Sequence, residues 1–136
     1  VNYLLDTNVV SEVMKKNGEV SVLLWLEHNQ DACFLSTIAV AEIEKGIELL
    51  PAGLKKERLQ EALHEFFPVF EQRILGFDLP VARRWAKLAA ALQRQGRQTP
   101  VLDSMQEATA LHWKLTIVTR NTSDFIQAQT FNPWVA

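Results

Sequence analysis

Four carboxylates stand at positions where an acid that merely decorates a surface is not expected, and all four are hard oxygen donors. Asp6 ends the short apolar run Tyr3, Leu4, Leu5 and opens the polar triplet Asp6, Thr7, Asn8, so it sits at a strand's carboxyl end. In open parallel α/β sheets that edge gathers loops from several strands around one crevice. Glu42 falls inside an apolar arc formed, at about 100° per residue, by Ile38, Ala39, Ile43, Gly46, Ile47, Leu49 and Leu50. An unpaired carboxylate is costly there unless it meets a cation, a proton or a metal. Asp103 follows the loop GRQTP, in which Thr99 can cap a helix with Pro100 at its first position, and this places the acid in the opening turn. Asp124 lies in the polar exit, Arg120 to Asp124, of the apolar run Leu115–Thr119.

Brought to one place, such acids repel, each pair at ~4 Å costing on the order of 4 kcal/mol at an effective dielectric of ~20. A divalent cation removes that cost. Oxygen ligands without histidine or cysteine select magnesium or manganese, which keep waters for chemistry on phosphates. Each acid also has a plain structural reading: an Asx turn for Asp6, an internal arginine pair for Glu42, helix stabilisation for Asp103. The three histidines, His28, His64 and His112, fall on different helices and offer no metal cluster.

The elements that must position these residues alternate. Helices are predicted over Val9–Met14, Val20–His28, Ile38–Leu50 and Leu54–Phe67, then from Asp78 and Pro80 to Gly96, and again after Pro100. Strands are predicted at Tyr3–Leu5, Cys33–Leu35, Arg73–Phe77 and Leu115–Thr119, and the tail Phe131–Trp134 is expected to close a sheet edge without a catalytic role. Strands separated by helices need crossover connections, which implies a parallel sheet with helices on both faces. Asp6 and the Asn121–Asp124 loop would then leave it on one edge.

A chain of 136 residues that is 48% hydrophobic forms one domain, residues 1–136, with a real core. The single cysteine, Cys33, sits in the apolar run ACFL and reads as a small buried hydrophobe in a reducing cytoplasm. No apolar stretch approaches ~18 residues, so a cytoplasmic protein with no membrane span or signal peptide is expected. The formal charge of -2 argues against a general nucleic-acid sponge, although gathering four acids in one site leaves the remainder slightly positive.

LLDTNVVSE at the start, AVAEIEKGI around Glu42, LDSMQEATA around Asp103 and TRNTSDF near the end, closed by FNPW, resemble a PIN-domain ribonuclease toxin of the VapC/FitB type over nearly the whole chain. The resemblance implies a PIN-like three-layer α/β sandwich with a central, mainly parallel sheet, and magnesium-dependent RNA cleavage. It also implies a homodimer, a cognate antitoxin that inserts a segment into the crevice, higher-order toxin–antitoxin complexes, and DNA contact only through the antitoxin. Asp6, Glu42 and Asp103 fall on the family's acids. Relatives place the fourth where Asn121 stands here, which makes Asp124 the substitute.

Both routes suggest metal-assisted phosphodiester hydrolysis. Asp6 and Asp103 would hold magnesium, or manganese in its place, and Glu42 and Asp124 would reach it through water or complete a second site. Thr7, Asn8, Asn121 and Arg120 are candidate supporting or phosphate-contacting groups, and Lys15, Lys16, Arg94, Arg97 and Arg120 could guide RNA. The sequence departs from the family at Gln106 and Glu107, where relatives carry an apolar and then a small residue. Glu107, one turn beyond Asp103, is expected either to enter the crevice as a fifth carboxylate that tunes the site or to face Arg83, Arg84 or a partner. Two other classes remain: a nuclease-inactive binding module whose acids are satisfied by arginines, and a haloacid-dehalogenase-like phosphatase, which needs a second acid where Asn8 stands.

Overall fold

The protein is described here by a computed structural model covering residues 1–135. Five strands form the sheet: β1 (Tyr3–Leu5), β2 (Cys33–Ser36), β3 (Ile74–Leu75), β4 (Thr116–Val118) and β5 (Thr130–Phe131). Six α-helices connect and cover them: α1 (Thr7–Met14), α2 (Val20–Asn29), α3 (Thr37–Glu48), α4 (Leu54–Phe66), α5 (Leu79–Arg94) and α6 (Val101–Trp113). The strand order is β3-β2-β1-β4-β5 and every pairing is parallel, with Leu4 opposite Phe34 on one side and Ile117 on the other.

Alternation along the strands sorts side chains to the two faces. Leu5, Leu35 and Val118 join Val9, Val10, Val22, Leu26, Ile43, Ile47, Leu63 and Phe70 in a core beneath α1 to α4. Leu4 and Ile117 point the other way and pack with Ala110, Leu115 and Phe125, while Val81, Leu88, Leu92 and Ala108 seal α5 against α6. Cys33 lies in the first core, and burial pushes its thiol up to about 12.

Several local expectations are corrected. The third strand is reduced to two residues: a 3-10 segment, Phe67–Arg73, runs directly into it, its partner β2 ends at Ser36 opposite Leu75, and Arg73 donates to the Cys33 carbonyl at 2.9 Å. Pro100 is the cap residue of α6 rather than its first residue, and no side chain caps that end. Instead Trp85 Nε1 donates to Ser104 Oγ at 2.8 Å, and that hydroxyl donates to the Val101 carbonyl at 2.6 Å. The apolar arc of α3 is also narrower than expected: Ala39, Ile43 and Ile47 are buried, whereas Leu49 is 75% exposed.

The order places a topological switch beside β1. The chain winds from β1 through β2 to β3 in one direction, then crosses to β4 on β1's other side. Adjacent strands whose connections leave in opposite directions open a crevice at their carboxyl ends, and ligands bind in such crevices. Asp6 follows β1 and Thr119 follows β4.

Candidate active site

Asp6 is the organising residue. Its extended backbone (φ -74, ψ 159) ends the strand, and its carboxylate caps α1 by accepting from the Thr7 amide at 2.8 Å. The other oxygen accepts from the Thr119 hydroxyl at 2.8 Å. Two longer contacts, both 3.4 Å, come from the side-chain amides of Asn8 and Gln106. Only 7% of Asp6 is exposed, and this burial raises its pKa, opposed by the Thr119 and Thr7 bonds and reinforced by Asp124.

Glu42, half-buried on α3, accepts from the Thr7 hydroxyl at 3.1 Å. Burial raises its pKa and the charge of Asp6 adds to the effect. Thr7 therefore holds two acids at once, one with its amide and one with its hydroxyl. Asp103 stands in the first turn of α6. Burial and the charges of Asp6, Asp124 and Glu42 push its carboxyl up to about 6. That combination outweighs the favourable end of the helix macrodipole, worth about 0.3–1 kcal/mol at an exposed terminus. Asp124, on the 3-10 turn Thr122–Asp124, is exposed and reaches the others through charge alone.

These four acids line one crevice of about 420 Å³, together with Thr7, Asn8, Asn121, Arg120, Lys15 and Trp134. Asn8 accepts from the Arg120 amide at 3.3 Å and donates to Thr119 at 3.2 Å, and the Asn121 amide donates to the same hydroxyl at 3.0 Å. Thr119 is fully buried and ties Asp6, Asn8 and Asn121 together. Sequence reasoning missed it, although its place as the last residue of LTIVT before a polar exit was the available signal. Glu12 was also missed. It borders the crevice, pairs with Lys15 at 3.0 Å, and accepts from the Glu19 amide at 2.9 Å, which holds its carboxyl below the usual range.

Glu107 does not line the crevice. It is 1% exposed, and one carboxylate oxygen accepts from the amides of Gln127 and Ala128 at 2.8 and 3.0 Å, which ties down the connection between β4 and β5. The fifth carboxylate at the crevice is Glu12. The tail is corrected as well: Phe131 does close the sheet edge, but Trp134 lines the crevice beneath Arg120, whose guanidinium lies 5.3 Å from its ring. Of the proposed RNA-guiding cations, Lys15 and Arg120 border the crevice and Lys16 the neighbouring groove, while Arg94 and Arg97 border neither.

None of the four acids forms an ion pair among the described residues, which removes the arginine-satisfied reading of Glu42. Among those residues no three of His, Cys, Asp and Glu are grouped closely enough to hold an ion by direct contacts alone. An all-oxygen set of this spread suits a hard, partly hydrated cation that meets some carboxylates through water.

A parallel sheet with acids gathered at its switch point defines an α/β domain built around a carboxylate crevice, and residues 3–129 match the PIN domain family. The chain belongs to that family. It is 39% identical to Toxin FitB of Neisseria gonorrhoeae over 135 residues, covering 96% of this chain and 97% of the relative. It is 36% identical to VapC ribonuclease Y4jK of Sinorhizobium fredii, with 96% of each covered. The crystal structure of FitAcB from N. gonorrhoeae superposes with a TM-score of 0.90 at 38% identity, covering 98% of this chain and 99% of that one. Within the PIN family this is a protein of the VapC/FitB toxin type. No helix of the described residues is long and apolar enough to cross a membrane.

Proposed function

We propose that this chain is a magnesium-dependent endoribonuclease, the toxin of a type II toxin–antitoxin pair, which hydrolyses RNA phosphodiester bonds in the Asp6–Glu42–Asp103–Asp124 crevice. The observation that carries the reading is the gathering of these four acids around one crevice at the switch point without an ion-pair partner among the described residues, where burial together with the charges of Asp6, Asp124 and Glu42 pushes the Asp103 carboxyl up to about 6. Unpaired acids held this way store a cost that a divalent cation relieves. Its relative Y4jK is a VapC ribonuclease, which supports the same reading.

Asp6 and Asp103 would hold magnesium, or manganese in its place, with Glu42 and Asp124 reaching it through water; bound there, the ion supplies Lewis acidity toward the phosphate and makes water easier to deprotonate. The chain's own groups do the rest. Thr7 and Thr119 fix the carboxylates of Glu42 and Asp6, so that they need not reorganise when a substrate arrives. Arg120 and Lys15 at the rim attract the phosphate backbone, and Trp134 restrains Arg120. Asp124 fills the fourth acidic role, with Asn121 beside it as a neutral donor.

An antitoxin partner is supported by a second depression of about 600 Å³ that shares Thr7, Ser11, Lys15 and Glu42 with the crevice. Its floor is apolar, with Met14, Ile43, Ile47, Leu50 and Leu59, and Lys16, Lys55 and Arg58 border it. An amphipathic antitoxin helix would seat its apolar face there and extend an arginine to the carboxylates. The chain would form a homodimer that contacts DNA only through its antitoxin; a solved relative at 37% identity, FitAB, is bound to a DNA fragment. The test is to incubate purified protein with an RNA panel, with magnesium and with a chelator. Cleavage in magnesium alone is expected, while RNA binding without cleavage in either condition favours the binding-module alternative.

A further inference from the structure

Gln106 is fully buried, on α6 one turn beyond Asp103, and it serves none of the roles assigned above. Its side-chain carbonyl accepts from the Ser36 hydroxyl, and its amide nitrogen donates to Asp6 Oδ1 at 3.4 Å. Ser36 in turn ends β2 and caps α3, accepting from the Ala39 amide at 3.1 Å. One neutral side chain thus joins three elements, each of which carries an acid of the crevice: the end of β1 with Asp6, the cap of α3, which carries Glu42 midway along, and α6 with Asp103. We infer that Gln106 is a positioning residue that sets the spacing of these three carboxylates for a cation; the inference rests on the metal-binding reading above.

The chemistry of a primary amide suits this position. It offers a donor and an acceptor on one end, so it can accept from a hydroxyl and donate to a carboxylate without bringing a charge of its own. A methionine of similar length would leave the Ser36 hydroxyl proton without its acceptor and remove one Asp6 contact, and a glutamate would add another buried acid. The four donors to Asp6 also divide by direction. The Thr7 amide and the Thr119 hydroxyl make short bonds, one on each oxygen, and the two long contacts also fall one on each, Asn8 on Oδ2 and Gln106 on Oδ1. Asn8 lines the crevice and Gln106 does not. Gln106 thus holds the Asp6 carboxylate from outside the crevice lining, and its contact would not compete with a cation for the crevice side.

Partners that orient metal-binding side chains typically change metal affinity by about 10–100-fold when removed, and the long 3.4 Å contact puts Gln106 near the lower end. The experiment measures manganese binding to RNA-free protein by titration calorimetry, together with the metal dependence of cleavage, for wild type and Gln106→Met. The variant should melt cooperatively without metal, bind manganese about tenfold more weakly, and need correspondingly more metal for half-maximal cleavage. Its rate at saturating metal should stay close to wild type, a split that general loosening of the fold would not produce. Wild-type binding with an unchanged variant overturns the role of Gln106 alone, whereas no manganese binding by wild type overturns this role and the metal reading together. If Gln106→Met does not fold, Ser36→Ala releases the far end of the same amide. Weaker manganese binding by that variant upholds the inference, and unchanged binding rejects it.

Discussion

Replacing Asp103 with asparagine should stabilise the metal-free protein at neutral pH, even though it removes a carboxylate from a helix's first turn. The Asp103 carboxyl is raised from 3.8 to about 6 by burial and by Asp6, Asp124 and Glu42. A raised acid binds its proton more tightly in the folded state, so stability falls as pH climbs from the unfolded value through the folded one, and the full cost applies above pH 6. The shift sets a ceiling of about 3 kcal/mol at 1.36 kcal/mol per unit. Partial exposure and solvent screening reduce this to roughly half. Loss of the favourable helix-end charge opposes it by about 0.5 kcal/mol. The net gain for Asp103→Asn is then about 1 kcal/mol at pH 7, or a melting increase of about 3 °C for a domain of this size. At pH 4.5 the cost relieved shrinks to about a third, because Asp103 is by then mostly protonated in the folded protein. Thermal melts in a chelator at the two pH values measure both numbers. A variant that melts at or below wild type at pH 7 would show that burial and the neighbouring acids do not penalise the Asp103 charge.

Magnesium or manganese at ~100 times its dissociation constant should stabilise wild type by about 2.7 kcal/mol in thermal melts and leave Asp103→Asn nearly unmoved; equal shifts in both would place the ion elsewhere. Glu107→Ala should cost about 2 kcal/mol of stability, because the Gln127 and Ala128 amides lose their acceptor. Its metal dependence of cleavage should be unaltered, and a several-fold change would return Glu107 to the crevice. Asp124→Ala should slow cleavage strongly, and adding Asn121→Asp should restore part of it, since both positions border the same crevice; full activity of Asp124→Ala would remove Asp124 from the fourth acidic role.

What could be read from the chain was decided by how local each feature is. Asp6, Asp103 and Asp124 are marked by changes within a few residues, an apolar run breaking into polar ones or a proline opening a helix, and the structure gathers them with Glu42 around one crevice. Thr119 carries a weaker form of the same mark at the end of LTIVT, but its bond to Asp6 depends on β4 lying beside β1, and Trp134 carries none, because its place depends on the turn after β5. Glu107 shows the limit of helical periodicity. From Gln106 to Ala110 the helix α6 is buried on every side, so it has no outward face from which to count. Asp103 and Glu107 share a face by spacing, yet Asp103 borders the crevice while Glu107 lies beneath the β4–β5 connection. The third strand was overestimated for a related reason: Arg73 to Phe77 has strand-like composition, but the preceding 3-10 segment occupies its start.

The central claim, that the acids act as one metal-dependent cradle for RNA cleavage, is tested most directly by comparing residual cleavage rates of Asp6→Ala, Glu42→Ala and Asp103→Ala with that of the triple variant. Groups that work as a unit fail together, so each single substitution should abolish cleavage about as completely as all three, with circular dichroism showing folded protein throughout. Single variants that remain active, beside a triple variant far more damaged than any of them, would contradict a shared site.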